Sequence, residues 1–260
     1  SDRDLVGAEV EKLAILAAVT LLTAFAIAEA RRVLVRAVTE EAGAREVGRF
    51  LSKGLAETIR GADQPLQAGH VEAREIAVIM LDIRGFTRFS ANVPASEAVA
   101  VLTSLHHSAL AVVARHGGVV DKFIGDGIMI TFGAVTPSTT AAVDALATLV
   151  EVLKVGKQWE LSLPMAARHL RLNGAATCGE ALFATLGAGE RLEYTVIGSC
   201  VNVAAKLEQH NKVESTRGLA TRMLVEQARQ QSGRQSAALR DLGPRMIAGI
   251  DTSVELFAVD

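Results

Sequence analysis

The segment VVDKFIGDGIMITF, residues 119–132, places two short apolar runs on either side of Gly125-Asp126-Gly127. Apolar and β-branched residues around an Asp-Gly turn are typical of a β-hairpin. This hairpin would carry one carboxylate, that of Asp126, at its tip. Because an aspartate in such a turn is often only a turn former, the segment predicts two paired strands and leaves the role of the carboxylate open.

A second segment, EIAVIMLDIRGFTRFS at residues 75–90, reads as a buried strand that ends at Asp82. The strand is followed by Gly85 and by residues that can begin a helix. If its carboxylate meets the one in the hairpin, the two would suit divalent cations, because Mg²⁺ binds one or two carboxylates together with substrate phosphates. The backbone amides of Gly85, Phe86 and Thr87 would then lie where a polyphosphate could dock at the start of the helix.

Three blocks of sequence, in order and at the expected distances, resemble the signatures of the class III nucleotidyl cyclase catalytic domain. They are Asp82–Thr87, Lys122–Met129 and Glu193–Glu208. The resemblance covers Ala73–Asp260. With threonine at position 195, the chain resembles the membrane-anchored bacterial type of this family. Some members that have threonine at this position respond to bicarbonate.

The order of the predicted elements agrees with the fold that this resemblance implies. That fold is α+β, a ferredoxin-like palm (βαββαβ) with extra hairpins, here preceded by N-terminal helices. The predicted strands and helices of the catalytic domain are Ile76–Asp82, a helix at Ser96–His116, the hairpin at Val119–Phe132, a helix at Thr139–Lys157, a strand near Leu170–Thr177, a hairpin to Gly187, a strand at Tyr194–Ile197, helices at Ser199–Gln209 and Thr221–Gln230, and two closing strands, the last at Val254–Val259.

The family's reaction is an attack of the ribose 3′-oxygen on the α-phosphorus, with pyrophosphate as the leaving group. The resemblance therefore implies an adenylate cyclase that converts ATP into 3′,5′-cyclic AMP and pyrophosphate. Asp82 and Asp126 match the family's two metal-binding aspartates, and Ile83 would contribute its carbonyl oxygen. The expected cofactors are two Mg²⁺ or Mn²⁺ ions per site.

Lys122 and Thr195 match the two positions at which the family reads the base. Adenine presents an acceptor at N1 and a donor at N6, so a lysine ammonium can donate to the first and a hydroxyl oxygen can accept from the second. Guanine reverses both groups and would call for an acidic residue in place of Lys122. ATP is therefore the expected substrate, and a guanylate cyclase is the alternative.

Two further residues are the expected catalytic groups. Asn202 matches the asparagine that orients the ribose, and Lys206 follows one helical turn later. The usual residue of the family at position 206 is arginine. Its planar guanidinium can donate two hydrogen bonds to a phosphate, whereas the lysine ammonium acts as a single compact charge. Ala248 stands where a phosphate-binding lysine or arginine is common. These departures predict a slow enzyme and leave open a catalytically weak, cyclase-like dimerising signalling module.

The resemblance also implies a homodimer, with metal ligands from one protomer and base-reading residues from the other. This division has a physical reason here, because Lys122 and Asp126 are four residues apart on one hairpin. Both cannot readily reach opposite ends of a single nucleotide. A head-to-tail pair of catalytic domains would give two equivalent sites.

The N-terminal region predicts attachment to a membrane. Leu13–Ala28 is sixteen residues without a charge, slightly short of the ~20 that a spanning helix needs, although flanking residues can snorkel. We expect residues 1–30 to hold a transmembrane helix, with a buried or coiled-coil helix as the alternative. Residues 31–72 are expected to form a helical connector, either a signal transducer or a plain linker, and 73–260 the catalytic domain.

The distribution of charge predicts the location of the catalytic domain and argues against one class of partner. Arginines at 31, 32 and 36 follow the apolar segment and predict that the catalytic domain is cytoplasmic, beneath the cell inner membrane. The formal net charge of −2 and the lack of a long basic run argue against a nucleic-acid partner.

Overall fold

The computed structural model describes residues 71–188, 191–232 and 239–259. The predicted membrane helix and nearly all of the predicted connector lie outside these residues. The connector was expected to run to residue 72, but Val71 and Glu72 already belong to the first strand, where they pair with Ala184 and Phe183.

The described part contains eight strands, five α-helices and one 3₁₀ turn. In chain order these are β1 Val71–Arg84, α1 Phe86–Ser90, α2 Ala95–Arg115, β2 Val119–Ile124, β3 Gly127–Phe132, α3 Ala141–Ser162, the 3₁₀ turn Met165–Ala167, β4 Arg171–Ala188, β5 Arg191–Ile197, α4 Ser199–Glu214, β6 Gly218–Thr221, α5 Arg222–Ser232, β7 Arg240–Arg245 and β8 Val254–Ala258.

These strands form one mixed sheet in the order β2-β3-β1-β4-β6-β8-β7, with β5 paired to β4. β1 lies between β3 and β4 and is antiparallel to both. The run β1-α2-β2-β3-α3-β4 is therefore the βαββαβ unit of a ferredoxin-like palm. The predicted fold class is confirmed.

The central strand β1 is apolar on both faces because helices cover both sides of the sheet. Ala77, Ile79 and Leu81 belong to the larger core cluster, which includes buried residues of α2, α3 and α5. Val78 and Met80 belong to a second cluster that α4 covers. Burial on both faces explains why the strand reads as a continuous apolar run and not as an alternation.

Helix α2 alone among the described residues is long and apolar enough, by length and composition, to cross a bilayer. Its buried side chains, including Val101, Leu105 and Val112, belong to the larger core cluster. A helix with one face in a domain core commonly has this composition. We therefore interpret α2 as a core helix of the catalytic domain.

A buried ion pair joins α3 to the sheet. Glu160 of α3 accepts hydrogen bonds from Arg217 Nη1 at 2.7 Å and Nη2 at 3.0 Å, and from the backbone amide of Leu172 at 2.9 Å. Arg171 Nε lies 3.6 Å from the same carboxylate. Because the carboxylate is held by several donors, its burial is compensated.

Candidate active site

The structure brings the two predicted metal-binding carboxylates together. Asp82 lies near the end of β1, and Asp126 lies in the turn between β2 and β3. Since β3 pairs with β1, with Leu81 opposite Ile128, this turn lies beside the end of β1. The two carboxyl groups are close enough for a side-chain hydrogen bond.

Two glycines make this approach feasible. Gly125 has a φ of 63°, the positive value that a two-residue hairpin turn requires at its first central position. Gly127 is needed for space: a Cβ there would lie 3.1 Å from the carbonyl oxygen of Leu81 and 3.7 Å from Oδ1 of Asp82. The Gly-Asp-Gly sequence therefore holds the turn against the end of β1.

The pairing of carboxylates is electrostatically unfavourable without a counter-charge. Burial, followed by the charge of Asp126 and the hydrogen bond to it, raises the pKa of Asp82 to about 6. The backbone amide of Ile83 opposes this shift by donating a hydrogen bond to the Asp82 carboxylate. Divalent cations would relieve the repulsion, so the donor set fits the expected Mg²⁺ or Mn²⁺. The side chain of Ile83 is buried in the core, so only its backbone can serve the site.

A third acidic residue, Glu208 of α4, lies near this pair and was not among the predicted site residues. Its pKa is raised to about 7, chiefly by burial and next by the charge of Asp82, while the charge of Arg84 opposes the rise and that of Asp126 adds to it. Arg84 is itself held 3.0 Å from the amide oxygen of Asn173 when that amide is oriented to accept. The signal in the sequence that could have identified Glu208 is an acidic residue at a half-buried position of α4.

The predicted phosphate-docking segment begins the short helix α1. Gly85 precedes it with a φ of 90°, and Phe86 is buried in the core. Thr87 is exposed. The first amides of a helix have no partner within the helix, so those of Phe86 and Thr87 remain candidates. Their role in substrate binding stays a prediction.

The two predicted base-reading residues meet within one chain. Lys122 lies on β2 and Thr195 on β5, and Nζ of the lysine donates a hydrogen bond of 3.0 Å to Oγ1 of the threonine. Nζ also lies 3.3 Å from a carboxylate oxygen of Asp121. The hairpin β2–β3 thus directs Lys122 toward β5 and Asp126 toward β1.

The two predicted catalytic residues share the solvent-facing side of α4. Asn202 and Lys206 are both exposed and one turn apart. The Lys206 side chain lies along Gly249, because a Cβ at that glycine would be 2.9 Å from Nζ. Gly249 is in the loop between β7 and β8, next to Ala248.

Comparison with protein families gives a match over most of the domain. A model described as the adenylate and guanylate cyclase catalytic domain matches residues 70–238. Adenylate cyclase 1 of Rhizobium meliloti (strain 1021) is 29% identical over 204 residues, which are 75% of this chain and 29% of that protein. An uncharacterized protein of Mycobacterium tuberculosis is 35% identical over 150 residues, 58% of this chain and 25% of that protein. The chain thus spans less than a third of the length of these curated relatives.

Solved structures show the same fold. A bacterial light-regulated adenylyl cyclase superposes with a TM-score of 0.72 at 20% identity, covering 87% of this chain and 62% of that chain. The adenylyl cyclase CyaB from P. aeruginosa gives 0.62 at 23% identity, covering 74% and 96%. The guanylyl cyclase Cya2 gives 0.59 at 27% identity, covering 72% and 92%. Because both adenylyl and guanylyl cyclases occur among these neighbours, the superpositions do not distinguish between ATP and GTP.

Proposed function

Because this chain belongs to the adenylate and guanylate cyclase catalytic domain family, we propose that it converts ATP into 3′,5′-cyclic AMP and pyrophosphate at a homodimer interface. Phosphoryl chemistry of this kind depends mainly on positioning and on stabilisation of charge. The observation that carries the choice of ATP is the hydrogen bond between Lys122 and Thr195.

This hydrogen bond prepares a donor and an acceptor for adenine. The lysine ammonium has three N–H donors; one is directed at Thr195, and adenine N1 would accept from another. The threonine hydroxyl oxygen has a second lone pair, which can accept from the N6 amino group of adenine. Guanine would instead present its N1–H group to the lysine, so that two donors would face each other without an acceptor. The pair therefore favours ATP over GTP.

Asp82 and Asp126 would hold the metal ions, with the carbonyl of Ile83 as a further ligand. When bound, two Mg²⁺ or Mn²⁺ ions supply Lewis-acid activation of the attacking oxygen and neutralise charge on the leaving group. The carboxylates provide the negative charge that retains them. On the other side of the nucleotide, Asn202 would orient the ribose and Lys206 would balance charge that develops on the phosphate.

The geometry of the β2–β3 hairpin supports a shared site. Lys122 contacts β5, whereas Asp126 contacts the end of β1. A nucleotide whose base lies at Lys122 of one protomer would place its triphosphate at Asp126 of the facing protomer. A head-to-tail homodimer would then contain two equivalent sites.

The catalytically weak signalling module remains the second candidate, because Lys206 and Ala248 provide less charge than an arginine and a lysine would. Incubation of the purified full chain with Mn²⁺ and ATP, with GTP in parallel, separates the candidates. Cyclic AMP formation at a rate well above that of GTP turnover is expected. Preferred GTP turnover would establish the guanylate cyclase, and no turnover of either by a folded, dimeric chain would favour the module.

We further propose that Leu13–Ala28 anchors the chain in the cell inner membrane with the catalytic domain in the cytoplasm. The uncharged segment and the arginines after it support this proposal.

A further inference from the structure

The side chain of Lys206 lies against a glycine of the neighbouring loop. Gly249 lies between β7 and β8, and an added Cβ would lie 2.9 Å from Nζ of Lys206, 3.2 Å from Cε and 3.8 Å from Cδ. The lysine side chain therefore occupies the space that any other residue at position 249 would fill. Gly249 also has a φ of 79°, which residues other than glycine rarely adopt.

The loop that contains Gly249 packs against α4, the helix that contains Lys206, and is hydrogen-bonded to it. Ile247 is 3% exposed and shares a core cluster with Leu207 of α4. The amide of Ile250 donates a 3.0 Å hydrogen bond to the carbonyl of Ile247 and closes a turn around the glycine. At the start of the loop, Arg245 Nε donates a 2.8 Å hydrogen bond to Glu214 at the end of α4. These contacts hold the backbone of the loop against α4, so that Gly249 lies beside Lys206.

We infer that Gly249 is a positioning residue for Lys206, and that this docked lysine supplies the cation which the loop itself lacks at Ala248. The inference rests on the proposed function, in which Lys206 balances charge on the phosphate. Ala248 and Gly249 are adjacent, so their Cα atoms are ~3.8 Å apart. A lysine that lies along Gly249 thus places its charge beside the position where the resemblance expects a loop cation.

This inference is tested with Gly249→Ala and a matched control, Gly243→Ala. Gly243 lies in β7 with a φ of 69°, and a Cβ there would meet nothing within 4 Å. Both substitutions place an alanine at a positive φ, but only the first displaces the lysine. We expect Gly249→Ala to lower kcat about 10-fold or more with a KM change below about threefold, because a group that acts on developing charge affects the transition state most. Gly243→Ala should stay within about twofold of the wild type.

A double-mutant cycle separates an effect through Lys206 from an effect of the loop alone. In a Lys206→Met background, Gly249→Ala should change kcat by less than about twofold, because the group that it displaces is already gone. A loss as large as that in the wild type would overturn the inference. If Lys206→Met itself leaves kcat unchanged, the proposed role of Lys206 fails.

A readout independent of turnover distinguishes the inference from the proposed function. The rate at which an amine-reactive reagent modifies Lys206, followed by peptide mass spectrometry, is measured in the wild type and both glycine variants without nucleotide. Displacement from the glycine should raise this rate about threefold in Gly249→Ala and leave it unchanged in Gly243→Ala. Equal rates in all three would overturn the inference, even if the wild type proves to be an adenylate cyclase.

Discussion

The ammonium of Lys122 donates a 3.0 Å hydrogen bond to the hydroxyl of Thr195, although 73 positions separate the two residues. One residue lies on β2 and the other on β5. Their meeting depends on the fold and not on any local motif. Because the pair presents one donor side and one acceptor side, it gives the base-binding end of the site a defined hydrogen-bonding pattern.

Reversal of the charge at position 122 should weaken the use of ATP. Lys122→Glu removes the donor to adenine N1 and places an acceptor against it, so kcat/KM for ATP should fall about 10²-fold while the ratio of GTP to ATP use rises. Initial rates with both nucleotides measure this. Lys157→Glu, an exposed lysine on α3, is the control for net charge. Unchanged ATP turnover in Lys122→Glu would remove the base-reading assignment.

Mixed dimers should recover activity that neither variant shows alone. In a dimer of one Asp126→Asn protomer and one Lys122→Glu protomer, one of the two sites has neither substitution. Heterodimers isolated through two tags should therefore regain about half of wild-type turnover, and an unsorted equal mixture about a quarter. Activity is measured after co-expression and two-tag purification. A mixture no more active than its parents would contradict the shared site.

The raised pKa of Asp82 predicts a stability that falls with increasing pH in the absence of metal. A carboxyl group with a pKa near 6 in the fold, against 3.8 unfolded, binds its proton more tightly when folded. Its contribution is present below pH ~4 and is lost as the pH rises through ~6. The full shift corresponds to ~3 kcal/mol, and solvent screening of this half-buried group reduces it to about 1–2 kcal/mol.

Asp82→Asn should accordingly stabilise the metal-free chain by about 1 kcal/mol at pH 8 and hardly at all at pH 4. Urea denaturation at the two pH values measures the difference. Mn²⁺ should raise the midpoint of the wild type more at pH 8 than at pH 5, because protonated carboxyl groups bind it poorly. Equal effects of the substitution at both pH values would exclude Asp82 as the titrating group.

Loss of the arginine that pairs with buried Glu160 should destabilise the domain. Arg217→Met removes two of the hydrogen bonds to that carboxylate and should cost about 3 kcal/mol in free energy of unfolding, because Glu160 is left buried and only partly compensated. Adding Glu160→Gln should restore part of the loss. Arg115→Met, at the exposed pair with Glu151, is the control and should lose far less. Similar losses at both arginines would contradict a special role of burial.

Membrane attachment should depend on the centre of the N-terminal apolar segment. Replacing Leu21 and Leu22 with arginine costs about 2.5–3.5 kcal/mol for each residue in a spanning helix. The variant chain should move from the detergent-soluble membrane fraction to the soluble fraction. Replacing the same residues with alanine is the control and should leave the chain in the membrane. Release by both variants, or by neither, would contradict a spanning helix.

Much of the palm was predictable because its signals are local. Apolar periodicity and turn residues predict the strand that ends at Asp82 and the hairpin around Asp126. The family resemblance predicts that the two carboxylates lie close together. The extent of β4 was not predictable in this way. The strand was expected to end near Thr177, before Gly179, but it continues to Ala188 because it pairs along all fourteen positions of β1 and then with β5.

Two predicted helix ends were wrong for a related reason. The helix expected to end at Lys157 continues to Ser162, because Trp159 is buried and its Nε1 donates a 2.8 Å hydrogen bond to Ser104. The helix expected to end near Gln209 continues to Glu214, so His210 is buried within it and not beyond its end. In both cases tertiary contacts outweigh local stop signals.

Pairing of β1 with β4 sets a constraint on synthesis of the chain. Val71 pairs with Ala184, so on the order of 100 residues must leave the ribosome between the first strand and its partner. At about 5–20 residues per second this takes about 5–20 s. During that interval one edge of an apolar strand has no partner, which exposes it to pairing with other nascent chains.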